Sequence, residues 1–372
     1  MKNNGITEYF EEVETEVEYN GYFCRIPEVI TIVILGCMCG LKNVKQIHQW
    51  ASNGIVSEFL KEKFGISHVP CYYWILCMLK MIKTKSLNQC FMDWVYSFVP
   101  ENEQMTISLD GKEIRSTNRL EKCESPLHII SAQISELGLT LAQRCTDDKS
   151  NEIPAVQKLL KELNIQGHMI VADAMNCQKE TAEIIIGKEA DYLLCVKGNH
   201  PVLEKEIEDY IQDKTLRNTM SVFSRSEKNH GRAEKRTAYT TTNIGWLTPK
   251  NEWKNLCCIG AVYTEISTKK ESWSEWHYYI SSRKLTAQQL LHHARMEWSV
   301  ESMHWLLDVH FEEDFCLIES KAVQQHLNMF RKSAINLIKL FKSRTETKRP
   351  ISNIMLDCLI NPSDILRVIG QN

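Results

Sequence analysis

The stretch I-V-A-D-A-M, Ile170 to Met175, decides how the chain folds. Before it Gln166-Gly167 reads as a turn, and after it N-C-Q-K-E-T-A-E-I-I-I opens a helical pattern. A short apolar strand therefore ends at Asp173 and a helix follows at once. That places a carboxylate at the carboxyl end of a strand, where α/β sheets keep their chemistry. M-T-I-S-L-D-G-K, Met105 to Lys112, repeats the arrangement, closing a strand in Asp110 just before a glycine. Two such aspartates suit a shared metal site, although Asp173 alone also suits a helix N-cap and Asp110 alone a turn.

Around this stretch the pattern after Pro100 runs strand, strand, strand, helix, strand, helix, strand. The strands are expected at 105–110, 127–135, 138–145, 167–173 and 191–197, and the helices at 151–164 and 178–190. Short turns between the first three strands predict an antiparallel meander, and the later alternation adds parallel neighbours, so a mixed five-stranded sheet is expected. With the first strand central, Asp110 and Asp173 can lie side by side. Residues 215–285 alternate, rich in threonine and tyrosine, and predict a β-rich insertion. A long helix is expected over 286–309 and a last one over 320–344, with 346–372 as a C-terminal tail.

Toward the N-terminus, residues 20–100 read as an all-helical module stopped by Pro100. Its lysines (Lys42, Lys45, Lys61, Lys63, Lys80, Lys83, Lys85) can meet phosphates or simply form a solvated face. Residues 1–20 hold one lysine and six glutamates and read as a solvated acidic lead-in. They carry −5 of a net charge of −3, which leaves the remainder at +2. Whole-chain charge thus neither supports nor excludes a DNA substrate.

At 372 residues, 43% hydrophobic and 24% charged, the composition is that of a globular protein with room for two or three domains. The 14 cysteines form no C-x-x-C pair and sit mostly in apolar runs, which argues against a zinc ribbon or a disulfide framework. The first residues are polar and then acidic, unlike a signal peptide. The most apolar run, Val29 to Cys39, is about half the length of a spanning helix. A reduced cytoplasmic compartment, with no membrane partner, is expected.

A divalent cation such as Mg²⁺ or Mn²⁺ asks for more hard oxygen ligands than two. On the long helix Glu297, Glu301 and Asp308 fall within about 40° of one another at 100° per residue. His304 borders this acidic stripe on one side, and Trp298 and Trp305 on the other. Periodicity does not choose between Glu297 and Glu301.

Several longer motifs do. D-G-K-x-x-R (Asp110 to Arg115), K-S-N-E-I (Lys149 to Ile153) and V-A-D-A-M-N-C-Q-K-E (Val171 to Glu180) resemble the H-repeat-associated (ISAs-group) insertion-sequence transposases. So do D-Y-L-L-C-V-K-G-N (Asp191 to Asn199), H-G-R-A-E-x-R (His230 to Arg236) and Arg295 to Asp314, which is similar to the family's R-x-H-W-x-I-E-N-x-L-H-W-x-L-D-V-x-F-x-E-D. Gly40 to Ala51 resembles the family's N-terminal associated domain. The resemblance implies a DDE transposase with an RNase H-like core over 101–345, and Asp110, Asp173 and Glu301 as catalytic and metal-holding triad. It implies two Mg²⁺ or Mn²⁺ ions, double-stranded DNA as partner (terminal inverted repeats and target), and a homodimer in the active complex at the bacterial nucleoid. Lys112, Arg115, Lys197, Asn199, His230, Arg232, Arg236, Arg295, Trp298 and His304 are the candidate DNA contacts. Ser302, Glu297 and His200 depart from the family's usual asparagine, histidine and glutamine. Two other readings compete with the transposase: a DNA-binding remnant that no longer cuts, and a metal-dependent nuclease without strand transfer.

Overall fold

The computed structural model of the chain describes residues 6–19, 23–100, 103–115, 127–146, 152–229, 232–268, 271–297 and 299–370. The N-terminal helices are α1 (Ile26–Met38), α2 (Val44–Ala51), α3 (Gly54–Phe64), α4 (Tyr72–Met81) and α5 (Thr84–Tyr96). In α1 the β-branched residues are weak helix formers, and burial overrides propensity: every residue except Glu28 is buried. Pro27 sits in its first turn, where no amide partner is lost, and Glu28 folds back to accept from the Arg25 amide at 2.9 Å. The segment 6–19, expected as a solvated lead-in, lies instead on these helices. Phe10 is fully buried, the Glu16 amide donates to the Met81 carbonyl at 2.7 Å, and Glu14 pairs with Lys83 at 2.9 Å. One apolar anchor outweighs the solvation of its glutamates, whose carboxylates stay at the surface.

The sheet is built from β1 (Thr106–Ile114), β2 (Leu127–Ile134), β3 (Leu139–Thr146), β4 (Met169–Ala172), β5 (Asp191–Val196), β6 (Ser221–Asn229), β7 (Arg232–Thr241), β8 (Cys258–Ser267) and β9 (Ser272–Ser281). Helices α6 (Glu152–Glu162) and α7 (Lys179–Gly187) connect β3 to β4 and β4 to β5. α8 (Pro201–Gln212) and α9 (Lys214–Arg217) lead to β6, and α10 (Ala287–Glu297), α11 (Ser299–Phe311), α12 (Lys321–Thr345), α13 (Ile351–Ile360) and α14 (Ser363–Ile369) follow β9.

The order is β3-β2-β1-β4-β5-β9-β8-β7-β6, which corrects the expected five strands to nine in one sheet. The reason is the exposed edge of β5. Instead of staying open, it takes the apolar end of β9 as an antiparallel neighbour, Leu193 opposite Ser281 through Val196 opposite Tyr278. The β-rich segment is thus an extension of the core sheet, inserted between α9 and α10. At the opposite edge α12 closes β3: the Asn336 side chain accepts from the Thr140 amide and donates to its carbonyl, both at 2.9 Å. The meander and the mixed parallel and antiparallel pairing are as expected.

The helix expected over 286–309 corresponds to α10 and α11, which flank residue 298, itself outside the described residues. At the end of α10 the Met296 carbonyl accepts from the Ser108 hydroxyl at 2.8 Å and from Ser135 at 3.3 Å, which ties the helix to the sheet. The tail after 345 holds α13 and α14, docked through Arg344, which donates to the Arg367 and Val368 carbonyls. No helix among the described residues is long and apolar enough to cross a membrane.

Candidate active site

Alternation along β1 and β4 decides which face carries the acids. Ile107, Leu109, Ile170 and Ala172 enter the main core, while Met169 and Val171 pack with Leu290, Leu291 and Ala294 of α10. Asp110 and Asp173 share the parity of Ser108 and Val171, and so belong to the α10 face. The parallel register ends with Leu109 opposite Ala172, and the next residue in each strand is an acid. Asp173 follows the last residue of β4, as expected. Asp110 does not end its strand: β1 runs on to Ile114, paired there with β2 alone. It stands where β1 loses its parallel partner.

Each aspartate has a local anchor. Asp110 accepts from the Gly111 amide at 2.9 Å, and His304 Nδ1 of α11 lies 3.3 Å from its other oxygen. Asp173 accepts from the Asn176 amide at 3.2 Å and from the Asn176 side chain at 2.9 Å. The same Asn176 amide group donates to Glu152 at 3.2 Å, and Glu152 meets His128 Nε2 at 2.8 Å. Glycine is required at 111 by this buried pair. A Cβ there would stand 2.5 Å from His128 Nε2 and 2.9 Å from the Glu152 carboxylate.

Burial raises the Asp173 carboxyl above the usual range, countered by Asn176 and reinforced by Glu152 and Asp110. Glu297, at the end of α10, is pushed further, to about 8. Burial is the main cause. The Asp173, Asp110 and Glu301 carboxylates add to it, and Lys197 opposes them. Four acids and one lysine therefore share the site. Glu301 is exposed, in the first turn of α11. With Asp173 and Glu297 raised by burial and by their acidic neighbours, the site is a set of oxygen donors lacking positive charge, of the kind that suits an oxygen-preferring divalent cation.

Apart from His304 beside Asp110, the candidate DNA contacts among the described residues divide into three groups. Lys197 and Asn199 are exposed in the turn after β5, and Asn199 donates to the Ala174 carbonyl at 2.7 Å, tying that turn to the Asp173 loop. Other cations already have carboxylate partners. Arg295 holds Glu227 through two hydrogen bonds of 2.5 and 2.9 Å, and Arg236 pairs with Glu234 at 2.6 Å. Lys112 bonds Asp308 and, at 3.1 Å, the buried Glu313. Arg232 and Arg115 are exposed, with looser partners: Glu234 at 3.4 Å and Asp314 at 3.8 Å. His230 and Trp298 lie outside the described residues.

The residues that sequence reasoning passed over are those behind the acids. Glu152 and Asn176 lay inside quoted motifs without a role, and Glu313 and Asp314 end the helix motif, after Asp308, which was read only as part of the acidic stripe. These last three receive Lys112 and Arg115, so the two ends of the resemblance meet in space. Glu313 also accepts from Asn328 at 2.7 Å and pairs with Arg331 at 3.2 Å. It is held down at about 2, its own burial outweighed by Lys112, Arg331, Asn328 and Lys332.

Comparison with known proteins identifies the family. The family described as Transposase DDE domain matches residues 105–337, and the one described as DDE_Tnp_1-associated matches residues 7–95. The chain is 32% identical over 335 residues to the putative protein YbfL of Escherichia coli K12, covering 87% of this chain and 88% of that one. It is 31% identical, at the same coverage, to the H repeat-associated putative transposase YhhI of the same strain. Among solved structures, a piggyBac transposase synaptic complex with hairpin DNA covers 98% of this chain and 76% of its own at 10% identity and a TM-score of 0.44, too slight a likeness to argue from. The chain belongs to the DDE transposase family, in its H-repeat-associated group. It is an insertion-sequence transposase, an enzyme of DNA cleavage and strand transfer, and the family works with divalent metal ions.

Proposed function

We propose that Asp110, Asp173 and Glu301 are the catalytic triad of an RNase H-like core, holding two divalent cations, Mg²⁺ or Mn²⁺, against the ends of the element. The observation that carries this is the β1–β4 register, which sets Asp110 and Asp173 side by side below helices bearing two further acids. The strand order β3-β2-β1-β4-β5, with β2 antiparallel and β4 and β5 parallel to β1, supports the core assignment. Bound there, the cations would supply positive charge to polarise the scissile phosphate and to favour hydroxide over water at neutral pH.

The chain's own residues do the rest. Asn176 and the Gly111 amide fix the two aspartates. His304 stands beside Asp110, and Lys197 brings a positive charge to an otherwise acidic site. Lys197, Arg115 and Arg232, exposed and with loose acidic partners or none among the described residues, are the side chains best placed to take phosphates. Lys112, Arg236 and Arg295 are already neutralised by acids and act in building the site. Terminal inverted repeats and target DNA are the substrates, bound by a homodimer. The N-terminal helices read the repeat sequence, because a catalytic core that grips phosphates carries little sequence information.

Full-length protein, Mg²⁺ and DNA carrying the inverted repeats that flank the gene test this reading. Joined product is expected. Cleaved-only product would make the chain a nuclease, and a bound-only complex a silent remnant.

A further inference from the structure

Away from the acids, at the start of β1, three metal-binding side chains converge. They are Glu136, in the turn between β2 and β3, and His292 and His293 on α10. One ligand atom from each lies within 4.8 Å of the others. His292 Nε2 is 3.7 Å from Glu136 Oε1, and the two imidazole centroids are 5.2 Å apart.

The group is oriented from behind. Thr106 is fully buried, and its amide donates to both Glu136 oxygens, at 2.9 and 2.8 Å. Its hydroxyl lies 2.6 Å from Glu136 Oε1 and 2.8 Å from His293 Nδ1. An ionised carboxylate only accepts, so the hydroxyl donates to Glu136 and takes its second bond from His293 Nδ1–H. A buried partner behind both a carboxylate and an imidazole is the outer support that fixes metal ligands. Burial, with His292 beside it, also holds His293 down at about 4, so the ring is neutral and keeps a lone pair at physiological pH.

We propose that Glu136, His292 and His293 form a binding site for a borderline-soft divalent cation, Zn²⁺ by ligand chemistry, distinct from the all-oxygen catalytic acids. Two imidazoles and a carboxylate are a ligand set that zinc accepts and that magnesium, which demands oxygen, does not. The ion joins α10 to the start of β1 and to the β2–β3 turn. Glu297 lies one turn further along α10, so the same clamp sets the end of the helix that reaches the active site.

The test uses full-length, chelator-stripped protein titrated with Co²⁺ and followed in the visible spectrum, then challenged with Zn²⁺ and with excess Mg²⁺. One equivalent of Co²⁺, over and above any taken by the active-site acids and displaced from them by Mg²⁺, should bind with the absorption of a nitrogen–oxygen site, and be displaced by Zn²⁺ but not by Mg²⁺. His292→Ala and Glu136→Gln should each weaken binding by at least about tenfold, whereas Asp110→Asn and Asp173→Asn leave it unchanged. His292 is exposed, so its replacement leaves the fold intact, as far-ultraviolet circular dichroism would verify. Three results would overturn the site: no band in the unsubstituted protein, a thiolate charge-transfer band pointing to the cysteines, or equal binding by both variants.

Discussion

Glu297 carries the most information at the scale of single residues. Its carboxyl sits near 8 in the folded, metal-free chain and in the ordinary carboxylate range once unfolded. The native state therefore holds the proton more tightly. Stability should fall as pH rises from about 4.5 to about 8 and level off above that, by a few kcal/mol in all. Urea midpoints of the chelator-treated protein between pH 5 and 9 should show this decline, and Glu297→Gln should flatten it. Gly111→Ala makes a second residue-scale prediction. Its methyl group would meet His128 and Glu152 too closely to be absorbed, at a cost of about 1–3 kcal/mol that thermal unfolding would register. The two aspartates were legible because an acid closing an apolar run before a glycine or a helix is a local pattern. The His128–Glu152–Asn176 support was not, since its members sit 24 residues apart with no periodicity linking them.

Elements meet at Glu313. β1 supplies Lys112, α12 supplies Asn328 and Arg331, and the turn after α11 supplies the acid that receives them all. Both Glu313 and Arg331 are almost wholly buried, so Glu313→Gln would strand Arg331 without its carboxylate and leave Lys112 with Asp308 alone. A loss of about 3–5 kcal/mol is expected in chemical denaturation, with cleavage falling too because the turn after α11 loses its tie to β1. Low pH acts in the same direction. The acid is held at about 2, so its contribution is present above the ordinary carboxylate range and disappears as pH falls toward 2. At this scale the sequence reading was uneven. Alternation located the core strands and the β-rich segment, because periodicity is a property of each strand alone. It could not reveal that β9 pairs with β5, since a strand's own pattern does not name its neighbour, and five strands were expected where there are nine.

Over the whole molecule, the N-terminal helices and the catalytic sheet share one apolar core. α1 packs along α12, and α12 in turn packs against α4, α5 and β3. The apolar run 29–39, too short for a membrane, is thus accounted for by a helix on the far side of the sequence. A chain starting at residue 101 would bare the α1 face of α12, and should be recovered unfolded or aggregated rather than as a nicking core. Recovery of a soluble, cooperatively melting fragment would show that the helices are separable. DNA affinity belongs to this scale as well. Lys197→Ala should reduce the salt slope of binding by about one unit, whereas Arg295→Ala, removing a cation already paired with Glu227, should change it little.

The central claim is that Asp110 and Asp173, adjacent through the β1–β4 register, hold the metal that cuts DNA. Its most direct test is the rate of Mg²⁺-dependent cleavage of element-end DNA by Asp110→Asn, Asp173→Asn, Glu301→Gln and Glu297→Gln in the full-length protein. The first three should lose at least about a hundredfold while still binding DNA, and Glu297→Gln should keep most of its activity. An active Glu301→Gln beside a dead Glu297→Gln would move the third acid to α10, and either aspartate variant cleaving at the unsubstituted rate would contradict the account.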